Sequence, residues 1–143
     1  MEAFFPGSAE LELRFPLAYF ELPEATDTTL GAWTVTPYEV IHASGAPAYG
    51  LRVEVDGKLI AYSGDTEWVD NLYRLAEGAD LFICEAYMVA KRVPYHLTYR
   101  ELAERRKEFT CRRMVLTHMS ADMLGRLTEV DIEVAHDGWI IAL

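Results

Sequence analysis

Residues that define several protein classes are scarce in this chain. It contains two cysteines among 143 residues, Cys84 and Cys111, and neither belongs to a Cys-x-x-Cys pattern. Because both lie in apolar sequence, buried reduced thiols explain them better than a disulfide framework or a zinc ribbon. Long apolar runs are absent as well, since runs such as Leu81 to Cys84 are far shorter than the roughly 20 residues of a membrane helix. We therefore expect no membrane partner.

Glycine- and serine-rich linkers, internal repeats and low-complexity tracts are also missing. The length is that of one domain, so we predict a single unit over residues 1–143 with an irregular lead-in at 1–32. The N-terminus carries Glu2 and an early Pro6-Gly7 rather than the basic region and apolar stretch of a secretory signal. A cytoplasmic location is the corresponding expectation.

Basic residues are few relative to acidic ones. The chain has 13 Lys and Arg and 23 Asp and Glu, which gives a net charge of −10. This balance repels polyanions at long range and argues against a nucleic-acid coat. Eight of the 13 basic residues nevertheless lie within residues 91–113, together with only three glutamates. This stretch is either the solvated face of a helix and its flanks or a patch that faces phosphate groups. A phosphate-containing substrate and nucleic acid both stay open as partners.

The first half of the chain shows the two-residue period of strands. Residues 11–15 alternate as a half-buried strand does, and residues 33–42 and 49–55 predict two further strands. Asp56-Gly57, the strongest short hairpin signal, leads into a strand at 58–62. The sequence thus predicts an antiparallel meander.

The second half alternates helical and strand patterns. The predicted elements are a helix from Val69 to a stop at Gly78, a strand at 79–85, a helix from the capping box of Thr98 and Glu101 to Phe109, a strand at 113–117, and a hairpin at Asp137-Gly138 before a strand at 139–143. Strands that alternate with helices predict parallel pairing through right-handed crossovers. The predicted fold class is α/β with an antiparallel flank.

Polar side chains follow the three strands that we predict to be parallel. Asp65 comes after the first strand, Glu85 ends the second and His118 follows the third. Ligands gather at this edge of open sheets, so the three residues should lie on one rim. Considered one at a time, each residue has a structural explanation. Asp65 could cap a helix, Glu85 could emerge into solvent at the end of its strand, and His118 could be a hydrogen-bonded histidine of the interior. Together, a carboxylate and an imidazole on one rim suit zinc, manganese or iron.

Five short motifs occur in a characteristic order. They are Tyr62-Ser63-Gly64-Asp65-Thr66, Phe82-Ile83-Cys84-Glu85-Ala86, His96-Leu97-Thr98, Val115-Leu116-Thr117-His118-Met119-Ser120 and Ala135-His136-Asp137-Gly138. In this order they resemble the second half of the metallo-β-lactamase-fold hydrolases, with spacings similar to those of the ribonuclease Z, phosphodiesterase and arylsulfatase-like branch. The resemblance implies an α/β fold that forms the second half of an αββα sandwich, with a mixed sheet and helices on one face.

The resemblance also implies roles for individual residues. Asp65 stands where the family has an aspartate that bridges two metal ions, and His118 where it has the last histidine ligand of the second metal. His96 is similar to the histidine that ribonuclease Z-type enzymes hold near the scissile phosphate, where a carboxylate equivalent to Glu85 supports it. This pair would act as donor to the leaving oxygen or stabilise the transition state.

Histidines are where the chain departs from the family. Members carry an upstream His-x-His-x-Asp-His cluster and one more histidine, whereas this chain has four histidines, none of them two apart. We expect His42, which resembles a histidine before the strand pair, not to be a ligand, and His136 to belong to a turn. A catalytic zinc takes three protein ligands, whereas Asp65 and His118 supply two, or three if a neighbour such as Glu85 or His96 reorients. We therefore predict weak or no binding of Zn²⁺, Mn²⁺ or Fe²⁺ and no efficient hydrolysis by this chain alone.

Half of such a sandwich leaves one apolar sheet face uncovered. Burying apolar area is worth roughly 25 cal/mol per Å², so several hundred Å² would favour association by many kcal/mol. We expect this face to be covered by a second copy, by a complementary N-terminal half that is separately encoded, or by residues 1–32.

Two functions remain open. The first is that of the C-terminal portion of a metal-dependent hydrolase, in particular a phosphodiesterase, in which Asp65 and His118 hold the second metal and His96 assists departure. The second is that of a non-catalytic half-fold that uses the uncovered face to dimerise or to bind a partner. The substrate stays undetermined, because one fold supports many chemistries.

Overall fold

One mixed sheet of seven strands organises the part of the chain that the structure describes. The structure is a computed structural model, and it describes residues 14–16 and 20–143. The strands are β1 (Thr28–Leu30), β2 (Trp33–Val40), β3 (Ala48–Val55), β4 (Lys58–Tyr62), β5 (Leu81–Glu85), β6 (Met114–Thr117) and β7 (Glu133–Val134). They are neighbours in chain order, antiparallel from β1 to β4 and parallel from β4 to β7. This arrangement confirms the predicted meander and the predicted parallel strands.

The helices are short and share one side of the sheet. They are α1 (Asn71–Ala76), α2 (Tyr99–Glu104), α3 (Ala121–Leu124) and the 3-10 turns at Arg106–Glu108 and Leu127–Glu129. Leu72 of α1 and Leu102 of α2 belong to one buried cluster with Phe82 of β5. The expected α/β class, with helices on one face, is therefore confirmed. None of the helices in the described ranges combines the length and the apolar character that crossing a bilayer requires.

The predicted turn chemistry and thiol state are confirmed. Asp56 and Gly57 join β3 to β4 with φ angles of +51° and +70°, the left-handed conformation that a tight hairpin demands. Cys84 and Cys111 are both buried and free. The two thiols therefore contribute apolar volume to the core rather than a cross-link.

The start of the chain differs from the prediction. The lead-in at 1–32 is not irregular throughout, because β1 forms within it and pairs with β2. Gly31 turns the chain between the two strands at φ +65°, which a side chain would strain. Of the strand predicted at 11–15, residues 11–13 lie outside the described residues, and Arg14 and Phe15 form a bend.

The second helix begins as predicted and ends early. Thr98 Oγ1 accepts from the Glu101 backbone N–H, and the Glu101 carboxylate accepts from the Thr98 backbone N–H, so the capping box is complete. The α-helical hydrogen bonding stops at Glu104, and the chain continues as a 3-10 turn before the extended Phe109. The tighter turn lets Phe109 reach the core, where its ring lies 5.8 Å from that of Phe82.

The predicted C-terminal hairpin is wrong. The turn at Asp137-Gly138 forms, with Gly138 at φ +75°, but residues 139–143 form no strand. The strand before the turn is β7, which has only two residues and pairs parallel with β6. Trp139 stacks on His136 at 5.3 Å between ring centroids instead of extending along the sheet. A turn signal alone does not make a hairpin when the preceding strand is this short.

The sheet face opposite the helices, here called the open face, carries exposed aromatic rings. Alternation along β2, β3 and β4 places Trp33, Tyr49 and Tyr62 on this face. Their exposed fractions are 56%, 39% and 41%. Tyr49 and Tyr62 lie near each other on neighbouring strands, whereas Trp33 lies at the opposite end of β2, and Val35 and Pro37 on the same face are buried. The exposed pair of Tyr49 and Tyr62 is therefore the part of this face with the character of an association surface.

Candidate active site

Three parallel strands bring Asp65, Glu85 and His118 to one edge of the sheet. Asp65 follows β4, Glu85 ends β5 and His118 follows β6. Asp65 Oδ2 lies 3.3 Å from His118 Nε2, a separation at which both atoms can bind the same cation. The strand direction therefore delivers the two proposed ligands to one point.

The loop after β4 holds Asp65 through its neighbours. Gly64 adopts φ +64°, and a Cβ on it would lie 3.2 Å from the Tyr49 carbonyl oxygen, so this position favours glycine. Thr66 Oγ1 accepts a hydrogen bond of 2.9 Å from the Ile41 backbone N–H. Asp65 thus lies between the backbone turn at Gly64 and the hydrogen-bonded side chain of Thr66.

The structural alternatives for the three residues do not hold. The N-cap position of α1 is Asp70, so Asp65 caps no helix here. The Glu85 side chain is completely buried rather than exposed at a strand end. The His118 side chain is 40% exposed rather than interior.

Glu85 is a buried carboxyl group that joins two parts of the site. One oxygen accepts from the Thr66 backbone N–H, and the other lies 3.1 Å from His96 Nδ1. Burial raises the pKa of Glu85 from 4.5 to about 7, the Thr66 hydrogen bond lowers it and the nearby Asp65 raises it. The carboxyl group can therefore hold the His96 ring and exchange a proton near neutral pH.

His42 also belongs to this cluster, although we predicted that it is not a ligand. It lies two residues after β2, whose C-terminal end is at the same edge as that of β4, because both strands run antiparallel to β3. His42 Nε2 lies 4.0 Å from Asp65 Oδ2. Counting the hairpins from the sequence would have placed His42 on this rim.

Five residues supply two overlapping sets of candidate metal ligands. One set is His42, Asp65 and His96, and the other is Glu85, His96 and His118. Within each set, the three donor atoms lie within 4.8 Å of one another. Imidazole and carboxylate donors fit zinc, manganese or iron, so the residues suit the kind of cation that the motifs imply. Because both sets share His96, they describe one cation site more readily than two.

Backbone strain marks the two histidine-bearing loops. His118 adopts φ +54°, and Tyr95, next to His96, adopts φ +67°. Non-glycine residues in this region carry of the order of 1–3 kcal/mol of strain and concentrate at functional sites. The strained residues of these two loops therefore lie at His118 itself and next to His96.

A cavity of about 500 Å³ opens beside His96. Its apolar wall includes Trp68 and Pro94, and its polar wall includes Glu67 and Arg92. A cavity of this size accommodates a small molecule or one portion of a larger one. A substrate centred on the ligand cluster would have room for a substituent here.

The basic stretch at 91–113 does not gather around the ligand cluster. Arg112 pairs with Asp80 at 2.9 Å, and Arg113 pairs with Glu133 at 2.7 Å. Of its eight basic residues, Arg92 is the one that lines the cavity. The stretch is largely a solvated surface, which was the first of our two interpretations.

Sequence comparison identifies the family to which this chain belongs. A family model described as "Beta-lactamase superfamily domain" matches residues 2–119. The chain belongs to this superfamily. An uncharacterized protein of Mycobacterium tuberculosis is 37% identical over 100 residues, which are 67% of this chain and 36% of that protein. Ribonuclease Z of Methanothermobacter thermautotrophicus is 32% identical over 123 residues, 82% of this chain and 36% of that protein.

Solved structures show the same metallo-β-lactamase fold. The metallo-beta-lactamase fold protein YhfI from Bacillus subtilis superimposes with a TM-score of 0.69 at 21% identity, covering 94% of this chain and 58% of that one. Human tRNase Z, short form, gives a TM-score of 0.61 at 25% identity, covering 80% of this chain and 45% of that one. The chain spans about a third of the length of the curated relatives it matches. It therefore corresponds to one part of a metallo-β-lactamase domain, as the motifs imply.

Proposed function

We propose that this chain carries the second-metal and leaving-group side of the active site of a metal-dependent phosphodiester hydrolase. The observation that carries the proposal is the 3.3 Å approach of Asp65 to His118, with the pair of His96 and Glu85 beside it. The similarity to ribonuclease Z over 82% of the chain supports a phosphodiester as the substrate. We further propose that the chain alone binds metal weakly and does not hydrolyse efficiently.

The residues divide the chemistry between them. Asp65 and His118 would hold a divalent cation, and when bound this cation acts as a Lewis acid toward a phosphoryl oxygen. In its ionised form Glu85 would accept the Nδ1 hydrogen of His96 and fix the ring, which leaves Nε2 directed away from the carboxylate. In its imidazolium form, His96 donates the Nε2 proton to the leaving oxygen. Glu85 lies 3.1 Å from the Nδ1 side of the ring, so it sets the direction in which Nε2 points.

The number of available ligands supports the proposal that the metal site of this chain is incomplete. The two donor sets share His96, so a second cation needs ligands from beyond those that residues 14–16 and 20–143 bring together. The sequence contains four histidines and no His-x-His-x-Asp-His cluster. In the family that cluster also orients the attacking group, so the isolated chain lacks both parts of the chemistry.

The proposal is tested by complementation. The chain and a separately expressed N-terminal half that carries a His-x-His-x-Asp-His cluster are mixed with Zn²⁺ or Mn²⁺, and hydrolysis of bis(p-nitrophenyl) phosphate is followed by absorbance. We expect turnover from the mixture, none from either half, and loss of turnover with His96→Ala. A complex that binds metal without cleaving the diester contradicts the phosphodiesterase assignment. Turnover by the isolated chain contradicts its incompleteness.

A second candidate function rests on the open face. Tyr49 and Tyr62, exposed by 39% and 41% on neighbouring strands, mark a surface that a second copy or a partner could cover. Under this alternative the chain is a non-catalytic half-fold that associates through β2, β3 and β4. Apolar burial at roughly 25 cal/mol per Å² supplies the driving force.

Sedimentation distinguishes this second function. We expect concentration-dependent association that Tyr49→Glu with Tyr62→Glu abolishes, because two charges would then be buried in the interface. The paired variant Asp65→Ala with His118→Ala should associate as the wild type does. A monodisperse monomer at all concentrations contradicts self-association, and a requirement for Asp65 assigns the surface to the hydrolase instead.

A further inference from the structure

The ring of Tyr87 lies against two of the three imidazoles of the ligand cluster, those of His96 and His118. Its centroid is 4.6 Å from that of His96 at 27° between planes, and 5.4 Å from that of His118 at 29°. The two imidazoles are 5.3 Å apart at 25°. Near-parallel rings at these separations are in stacking contact, so each of the three limits the rotation of the other two.

The backbone of Tyr87 ties together the loops that carry these histidines. Its N–H donates to the Leu97 carbonyl at 3.0 Å, next to His96. Its own carbonyl accepts from the Ser120 N–H at 2.9 Å, two residues after His118. Tyr87, two residues after the end of β5, therefore connects both histidine loops to the sheet.

The histidines need such support to different degrees. His96 has a second restraint, because its Nδ1 lies 3.1 Å from Glu85. His118 is 40% exposed, and its Nε2 faces Asp65 at 3.3 Å. It also adopts φ +54°, a strained backbone that persists only where the surroundings hold it. Without a neighbouring ring, the His118 imidazole would be free to turn into solvent.

We propose that Tyr87 is a positioning residue that fixes the His118 imidazole for cation binding and the neighbouring His96 imidazole for proton donation. The inference rests on the proposed function, because that function assigns His118 to the cation site and His96 to the leaving group. Tyr87 acts through the shape of its ring and needs no bond to the cation. Groups that orient metal ligands typically change metal affinity by 10–100-fold when they are removed.

The test compares Tyr87→Leu with Tyr87→Phe. Zn²⁺ is titrated into each purified chain in competition with a weak chelating dye, and the metal-free chains are examined by NMR of the histidine ring protons. We expect Tyr87→Leu to weaken Zn²⁺ binding by about 10–100-fold and Tyr87→Phe to stay within about twofold of the wild type. In the metal-free chains, the ring-current shifts of His96 and His118 should disappear with Leu and persist with Phe. Tyr38→Leu, at a half-buried ring outside the cluster, is the matched control.

The outcomes separate this inference from the proposed function. If the wild type binds Zn²⁺ and Tyr87→Leu binds it equally, the positioning role fails and the cation site stands. If the wild type binds no Zn²⁺ while its histidine shifts respond to Tyr87→Leu, the rings are positioned but the cation site fails. A loss of affinity equal to that in Tyr38→Leu, with unchanged histidine shifts, reduces the effect to general stability and overturns the inference.

Discussion

Replacing Asp65 by Asn lowers the affinity of the chain for Zn²⁺ by at least about tenfold, because the substitution removes the charged oxygen that faces His118. The amide keeps the shape of the side chain, so the loss reports on ligand character rather than on packing. Titration of Zn²⁺ against a competing dye measures the change. We expect this to be the largest single-residue effect on metal binding, since Asp65 also lies 4.0 Å from His42.

The same substitution should leave the metal-free fold almost unchanged. The Asp65 and His118 side chains are 32% and 40% exposed, and ion pairs in such positions contribute about 0–1 kcal/mol. Asp70→Asn is the matched control, because Asp70 is exposed at the start of α1 and makes no side-chain cap. Equal Zn²⁺ affinities for wild type and Asp65→Asn would show that Asp65 is not a ligand.

The second large effect is a pH dependence of stability that originates at Glu85. In the unfolded chain this carboxyl group loses its proton near pH 4.5, whereas burial keeps it protonated in the folded chain up to about pH 7. Between these values the folded state holds the extra proton, so the free energy of unfolding falls as the pH rises. The stabilisation is complete below pH 4.5 and is lost by pH 7, a change of about 3 kcal/mol.

Glu85→Gln isolates this contribution. The amide oxygen still accepts from the Thr66 N–H and its NH₂ group still reaches His96, but the side chain no longer titrates. Urea unfolding at several pH values should show a steeper loss of stability between pH 4.5 and 7 for the wild type than for the variant. Glu104→Gln, at the exposed end of α2, should behave as the wild type does. Parallel curves for wild type and Glu85→Gln would contradict the proposed protonation.

Local patterns predicted most of the framework because they report on short-range physics. The two-residue period located β2, β3 and β4, since alternate side chains of a half-covered strand face opposite environments. The capping box of Thr98 and Glu101 located the start of α2, since it satisfies backbone groups that every helix start leaves free. The errors fell where longer-range contacts decide, at the early end of α2 and at the C-terminal turn.

The candidate site was predictable in part for the same reason. Asp65, Glu85 and His118 follow parallel strands, and strand direction alone places them on one edge. The closeness of His42 to Asp65 was not predicted, because its strand joins the sheet through two hairpins and its position depends on counting them. The burial of Glu85 was missed because a residue at a strand end carries no sequence signal for what covers it.

The amino-acid sequence by itself determined the elements, the direction of the strands and the residue types offered at their ends, because these follow from periodicity, turn chemistry and connection rules. Only the tertiary structure decided which side chains touch. It placed Tyr87 against two imidazoles and Glu85 out of water, and these depend on loops that pack across the ends of three separate strands. Distances and burial arise from the whole fold, and they turn a set of ligand types into a site.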